Sequence, residues 1–169
     1  MTTITGTNNN DWIEGTALSE TIVGLNGNDW LFGGGGNDAI KAGDGDDFLF
    51  GGEGNDVLRG GNGVDSLLGG VGDDFLFGGA GADRFVFQAA SAVPEADRIG
   101  DFQVNQDKLE WAGVAGATVH SIVEANGHTR ITYDHQGVDH TITLVGVAKS
   151  SLDALDFNGG WTFDAGVWL

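Results

Sequence analysis

From Gly6 to Val86 the chain divides without a gap into nine consecutive nonapeptides, and this period constrains the fold more than any other property of its 169 residues. Position six reads Asp11, Glu20, Asp29, Asp38, Asp47, Asp56, Asp65, Asp74 and Asp83, and position eight reads Ile13, Ile22, Leu31, Ile40, Leu49, Leu58, Leu67, Leu76 and Phe85. Glycine holds position four from Gly27 onward, whereas the first two units carry Asn9 and Leu18 there, so the array is regular over units three to nine and degenerate at its start. Each unit ends in a three-residue tail with one inward apolar residue between two outward ones, which is strand alternation. The six residues before it are rich in glycine, which takes positive φ without penalty, and read as tight turns. Strand, turn, strand, turn closes one coil in two units, so unit n stacks on unit n+2 at about 4.8 Å. The expected fold is all-β: a right-handed parallel β-roll, a two-sheet solenoid, over residues 6–86.

Stacking brings the position-six carboxylates of units n and n+2 side by side. Two charges about 5 Å apart repel by roughly 1 kcal/mol in water and roughly 3 at an effective dielectric of 20. The chain adds to the problem, because 7 Lys and Arg against 25 Asp and Glu leave a net charge of −18. Such a field repels nucleic acid and acidic membranes and attracts small cations. The donors on offer are carboxylate and carbonyl oxygens on flexible turns, a set that favours Ca²⁺ over the stricter Mg²⁺ octahedron. Five pairs fall in regular units: Asp29/Asp47, Asp47/Asp65 and Asp65/Asp83 on one edge, Asp38/Asp56 and Asp56/Asp74 on the other. Asp11/Asp29 and Glu20/Asp38 would add two more, giving about five to seven ions. With no cysteine there is no disulfide or thiolate chemistry, and 31 Gly with a single Pro excludes collagen.

The consensus G-G-x-G-x-D-x-U-x, with U apolar, resembles the repeats-in-toxin (RTX) nonapeptide, of which units three to nine are close copies. The resemblance implies that each inner turn serves two calcium ions through its position-six carboxylate and the carbonyls of positions one to four. Carried over to the inner units, those carbonyls belong to Gly33, Gly34, Gly35 and Gly36; Ala42, Gly43, Asp44 and Gly45; Gly51, Gly52, Glu53 and Gly54; Gly60, Gly61, Asn62 and Gly63; and Gly69, Gly70, Val71 and Gly72.

After residue 86 the composition changes, and segments 118–124, 129–133 and 140–145 alternate like half-buried strands. They predict a small antiparallel β cap over 87–169, with a hairpin turn at Asn126-Gly127, a second turn at Asp134 to Gly137, and a short helix at about 150–156 capped by Ser150 or Ser151. The run from Ala82 to Phe87, with Ala96 to Phe102 and Gln106 to Leu109, resembles the segment after the roll in serralysin-type proteases and other type I secreted proteins. That likeness implies an uncleaved C-terminal export signal, which Trp161 to Leu169 matches loosely, with Asp164 set apart from the apolar Val167-Trp168-Leu169. It also implies type I secretion machinery as a transient partner. Met1 to Thr5 lacks a basic segment and an apolar run, so the expected location is extracellular without a cleaved N-terminal signal peptide, and no stretch approaches a membrane span.

Other chemistry finds little support. His120, His128, His135 and His140 lack zinc-site spacing, and neither a catalytic triad nor a phosphate-gripping loop is present, so the chain reads as non-catalytic. Asp97, Asp101 and Asp107 could hold one further calcium, but capping turns is the expected role. Outward positions of the odd units read Trp12, Trp30, Phe32, Phe48 and Phe50, a stacked aromatic column that something should cover. The expected cover is the cap, whose Trp111, Trp161 and Trp168 also need burial; the alternative is a polysaccharide or a protein partner. The rival readings of function are a calcium-dependent polysaccharide-binding module similar to those of mannuronan epimerases, against which the net charge argues, and an adhesin or ice-binding roll.

Overall fold

The computed structural model describes residues 1–88, 94–112 and 116–167, apart from the side chain of Leu155. Its strands are β1 (Thr2–Thr5), β2 (Trp12–Glu14), β3 (Glu20–Asn26), β4 (Trp30–Gly35), β5 (Ala39–Asp44), β6 (Phe48–Glu53), β7 (Val57–Asn62), β8 (Ser66–Val71), β9 (Phe75–Ala80), β10 (Arg84–Phe87), β11 (Ala96–Ile99), β12 (Lys108–Trp111), β13 (Ala117–Ala125), β14 (His128–His135), β15 (Val138–Leu144), β16 (Phe157–Gly159) and β17 (Trp161–Phe163). They form two sheets, of order β1-β3-β5-β7-β9-β11-β15-β14-β13-β17 and β16-β12-β10-β8-β6-β4-β2. Even units supply the first sheet and odd units the second, as a two-unit coil requires.

The parallel register advances 18 residues per coil, pairing Ile22 with Ile40 and Ile40 with Leu58 in one sheet, Leu31 with Leu49 and Leu49 with Leu67 in the other. Position eight therefore points inward throughout: Ile22, Leu31, Ile40, Leu49, Leu58, Leu67, Leu76 and Phe85 are fully buried between the sheets. The strands are longer than the three-residue tails. Most run six residues, because Gly43 pairs with Gly61 and Gly52 with Gly70, so the ladder continues into the glycines and the turn shrinks to three residues.

Beyond Phe87 the two sheets do not stop. β11 adds to β9 and β12 to β10, both parallel, and the antiparallel meander β13-β14-β15 joins through β15, which pairs with β11. Asn126 and Gly127 take φ of 55° and 76°, and Gln136 and Gly137 take 54° and 84°, the paired positive values of a two-residue hairpin turn. The predicted helix is absent. Lys149–Ser151 and Ala154–Asp156 are separate 3-10 turns, with Ala148 at the first cap and no side-chain cap bond, because buried Leu152 is extended between them and stops helical propagation.

The cap does not cover the aromatic column. Trp12 and Trp30 are 63% and 48% exposed. The reason is that the end of the roll offers the open edges of β9 and β10, and backbone pairing draws the cap there rather than onto a sheet face. The column packs on itself instead: Trp12 and Trp30 stack at 5.6 Å and 12°, and Trp30 meets Phe48 at 4.9 Å. Inside the cap, Phe87, Trp111, Tyr133 and Trp161 form their own edge-on aromatic core. Trp168 and Leu169 of the expected export signal lie outside the described residues.

Candidate metal centres

Along each edge of the roll the position-six acids form a ladder. Oδ1 of Asp29 accepts the Asp11 N–H at 2.8 Å, that of Asp47 accepts Asp29 at 2.7 Å, and that of Asp65 accepts Asp47 at 2.9 Å. On the opposite edge Asp38 serves Glu20, Asp56 serves Asp38 and Asp74 serves Asp56, at 2.7 to 2.8 Å. Asp83 serves Asp65 at 3.0 Å. The other oxygen is different. Oδ2 of Asp29, Asp38, Asp47, Asp56, Asp65, Asp74 and Asp83 is buried with no hydrogen-bond partner. An unsatisfied buried polar atom costs about 1 to 3 kcal/mol, more when charged, so seven in register call for a ligand.

The surroundings of the orphan oxygens of Asp29, Asp38, Asp56 and Asp65 fit a hard cation. A Cβ added at Gly51 would collide with both Asp56 Oδ2 and the Gly69 carbonyl oxygen, and one at Gly60 with Asp65 Oδ2 and the Gly78 oxygen. At these positions carboxylate and carbonyl oxygens therefore converge on one space that the glycine leaves open. Gly52 and Gly54, at φ of 113° and 122°, bring their Cα atoms against the carbonyl oxygens of Gly34 and Gly36 one coil below, so carbonyls stack in columns along the edge. Ala42, at position one of unit five, supplies the matching carbonyl to the coil below, where a Cβ at Gly24 would collide with both Asp29 Oδ2 and the Ala42 oxygen. At position three, Asp44, Glu53 and Asn62 are exposed, with Asn62 donating to Asp44 at 2.7 Å, so these residues can offer the site backbone rather than side chain.

The first two units depart from this scheme. Thr7 donates its amide and hydroxyl to Asp11, and Thr16 does the same to Glu20, so both acids are satisfied locally. Asp11 thus stands in the ladder without the free oxygen that its regular counterparts hold. At the other end Asp97 and Asp107 accept the amides of Asp74 and Asp83, Asp101 takes those of Gly78 and Gly79, and the side-chain amides of Gln103 and Gln106 bond the carbonyls of Gly79 and Gly81. These are the capping roles expected of the three acids. A second ladder went unread in the sequence: position-five side chains accept the amide one coil later, as Asn28 does from Asp46, Asn37 from Asn55 and Asp46 from Val64. Its signal is the run Asn10, Ser19, Asn28, Asn37, Asp46, Asn55 at one position of the repeat.

Burial pushes the ladder carboxyls up, against the hydrogen bond each accepts and with help from neighbouring acids. Asp47 and Asp74 rise to about 6, Asp56 and Asp65 to about 7, and the capping Asp97 to about 8. The histidines carry one mixed cluster among the described residues. His120 lies with Asp134 and Asp139 at the surface of the cap, its other ring nitrogen 2.5 Å from Asp164, a grouping made by strand pairing and invisible in the sequence spacing.

The RTX calcium-binding nonapeptide repeat model matches residues 14–49 and 50–85. Residues 14–85 are RTX repeats. Their chemistry is calcium binding, and the seven orphan oxygens belong to that segment. No curated protein matches the chain. Among solved structures, the extracellular lipase LipA of Serratia marcescens aligns at 17% identity and a TM-score of 0.50, over 90% of this chain and 38% of the lipase. The AlgE6R3 and AlgE6R2 subunits of an Azotobacter vinelandii mannuronan C5-epimerase align at 27% and 25% identity, with TM-scores of 0.36 and 0.38. They cover 90% and 86% of this chain and 79% and 90% of their own. The chain thus spans well under half of the lipase, and the shared feature is the parallel β-roll.

The RTX ladder makes its members unequal. Asp56 accepts the Asp38 amide and holds an orphan oxygen mid-stack, whereas Asp11 is satisfied by Thr7. Asp56→Ala is expected to raise the calcium midpoint for folding about tenfold or more, the worth of one charge-assisted contact, and Asp11→Ala far less. Calcium titrations followed by circular dichroism check this, and equal shifts would contradict the assigned register.

Proposed function

We propose that the chain is a calcium-triggered folding module, non-catalytic in itself, which supports type I export of the protein that carries it. The observation that carries this reading is the row of seven buried, unpartnered Asp Oδ2 atoms, four of them beside a turn carbonyl, an arrangement that bound cations would complete at neutral pH. At cytosolic calcium the carboxylates repel one another, and the glycine-rich turns cannot offset their backbone entropy, so the segment stays unfolded and can thread a channel. Outside, sites with dissociation constants of only about 10⁻⁴ to 10⁻³ M fill. Ion binding, five to seven in all, would then tie successive coils together and fold the roll. Asp29 through Asp83 would hold five of the ions at the regular pairs, with turn carbonyls completing the oxygen sets, and the two others would draw Asp11 and Glu20 away from Thr7 and Thr16.

The test is co-expression with a type I exporter in its active form and in an ATPase-dead form. The intact chain is expected in the medium only with the active exporter. Equal retention inside the cell with both would overturn the export role and leave the calcium chemistry untouched.

A further inference from the structure

The second hairpin of the cap sets two like charges opposite one another. Asp134 on β14 pairs directly with Asp139 on β15, next to the Gln136-Gly137 turn, which puts their side chains about 5 Å apart on one face of the sheet. Like charges so placed destabilise a strand pair unless a cation joins them. Among the described residues neither acid has a Lys or Arg partner, and neither accepts a hydrogen bond. What faces them is His120. β13 pairs Val119 with Tyr133 and Ser121 with Thr132, so His120 is the extra residue of a β-bulge, and its ring turns outward with no residue opposite. Its Nδ1 lies 2.5 Å from Asp164 Oδ2 and its Nε2 3.8 Å from Asp139 Oδ1. An ionised carboxylate can only accept, so Nδ1 carries the proton, and in the neutral ring Nε2 is a lone pair. One ligand atom each from His120, Asp134 and Asp139 lie within 4.8 Å of one another. Three electron-pair donors thus converge with no proton between them.

A metal ion answers this arrangement. A tetrahedral ion with bonds of about 2.1 Å holds its ligand atoms roughly 3.4 Å apart, so a small rotation of the exposed Asp139 side chain closes the set. The imidazole separates this site from the all-oxygen ladder of the roll, because it suits Zn²⁺ and its neighbours and not Ca²⁺ or Mg²⁺. We propose that His120 Nε2, Asp134 and Asp139 form a transition-metal site that takes Zn²⁺, with water in the fourth position. Asp164 is its positioning residue, since a carboxylate behind a metal-bound imidazole fixes the tautomer and the ring orientation. Its own N–H donates to the Val119 carbonyl at 3.0 Å, which anchors it beside the bulge. The ligands stand on β13, β14 and β15, and Asp164 follows β17, the last strand of the ten-stranded sheet. One ion therefore ties four neighbouring strands of the cap together. The proposal is independent of the export role and of the calcium ladder, and it needs only the folded chain.

Calorimetry tests it, with ZnCl₂ titrated into the full chain in saturating calcium so that the ladder is filled. One Zn²⁺ per chain is expected. His120→Asn and Asp139→Asn should each weaken binding about tenfold or more, the His120→Asn/Asp134→Asn double variant about a hundredfold or more, and Asp164→Asn about tenfold through loss of ring orientation. His128→Asn, on the next strand, should bind as the parent does. The rings report the site directly: in nitrogen NMR spectra Zn²⁺ should move the Nε2 signal of His120 alone among the four histidines and leave its Nδ1 protonated. In Asp164→Asn that tautomer should no longer be fixed, a change that a loss of packing alone does not produce. Zinc should also raise the thermal midpoint of the parent and not that of His120→Asn. Circular dichroism in calcium confirms that each variant is folded. Unchanged affinity in the double variant, zinc shifts at another histidine in place of His120, or no binding by the parent below millimolar zinc would overturn the proposal. Equal affinity for Mg²⁺ at the same ring would overturn the choice of a transition metal.

Discussion

At pH 7.5 the calcium-free chain is expected to show little β-structure by far-UV circular dichroism, and millimolar Ca²⁺, but not Mg²⁺, to fold it. Acid should act in place of the ion. Burial raises the ladder carboxyls of the calcium-free roll, Asp56 and Asp65 to about 7, from 3.8 in an unfolded chain. Between those values the folded form binds more protons than the unfolded one, so its stability falls as pH rises through about 4 to 7. Lowering the pH from 7.5 to 5 should therefore favour the calcium-free roll, because protonated carboxyls neither repel nor demand a cation. Calcium and protons then compete for the same oxygens, and the ion's apparent affinity should drop about tenfold or more over the same interval. Calorimetry should count at least five ions binding cooperatively. Two or fewer, an equal response to Mg²⁺, or a midpoint indifferent to pH would each show that the ladder is not the ligand set.

The parts of this molecule that could be read in advance are those the nine-residue period repeats. Inward Leu31, Leu49 and Leu67 and the carboxylates from Asp29 to Asp83 follow from it directly, since one register determines them all. What could not be read is where the period breaks. Asp97 follows Asp74 by 23 residues and Asp107 follows Asp83 by 24, neither a multiple of nine, yet both occupy the next rung of the ladder. The intervals exceed the 18-residue coil by five and six residues, and sequence spacing cannot show that the ladder survives the excess. Leu25 poses the opposite case: it takes φ of 94° at a position where later units use glycine, in register with Gly43 of the next coil. The aromatic column misled for a further reason. Exposure of Trp12 and Trp30 suggests a missing cover, but rings in register on strands about 4.8 Å apart can use their faces on one another.

That geometry decides what a truncation after Val86 should do. The roll would lose β11 and β12, which leaves the outer edges of β9 and β10 open as unpaired parallel ladders. Asp74 and Asp83 would lose the acceptors of their amides, and the glycine turn at Gly78 to Gly81 would lose Asp101, Gln103 and Gln106 together. Phe85, fully buried and 6.0 Å from the Phe102 ring, would face water, and burying one such ring contributes about 1.5 to 3 kcal/mol. Because folding and ion binding are one equilibrium, that loss appears as calcium demand. A fragment of residues 1–86 is expected to need about tenfold more calcium, or more, to fold, and to associate through its open edges in size-exclusion chromatography. The deficit should grow toward the cut end and leave the far end little changed, since units three and four keep their neighbours on both sides. A fragment that folds at the same calcium concentration as the full chain, as a monomer, would mean that the last coil closes itself and that the cap serves another purpose.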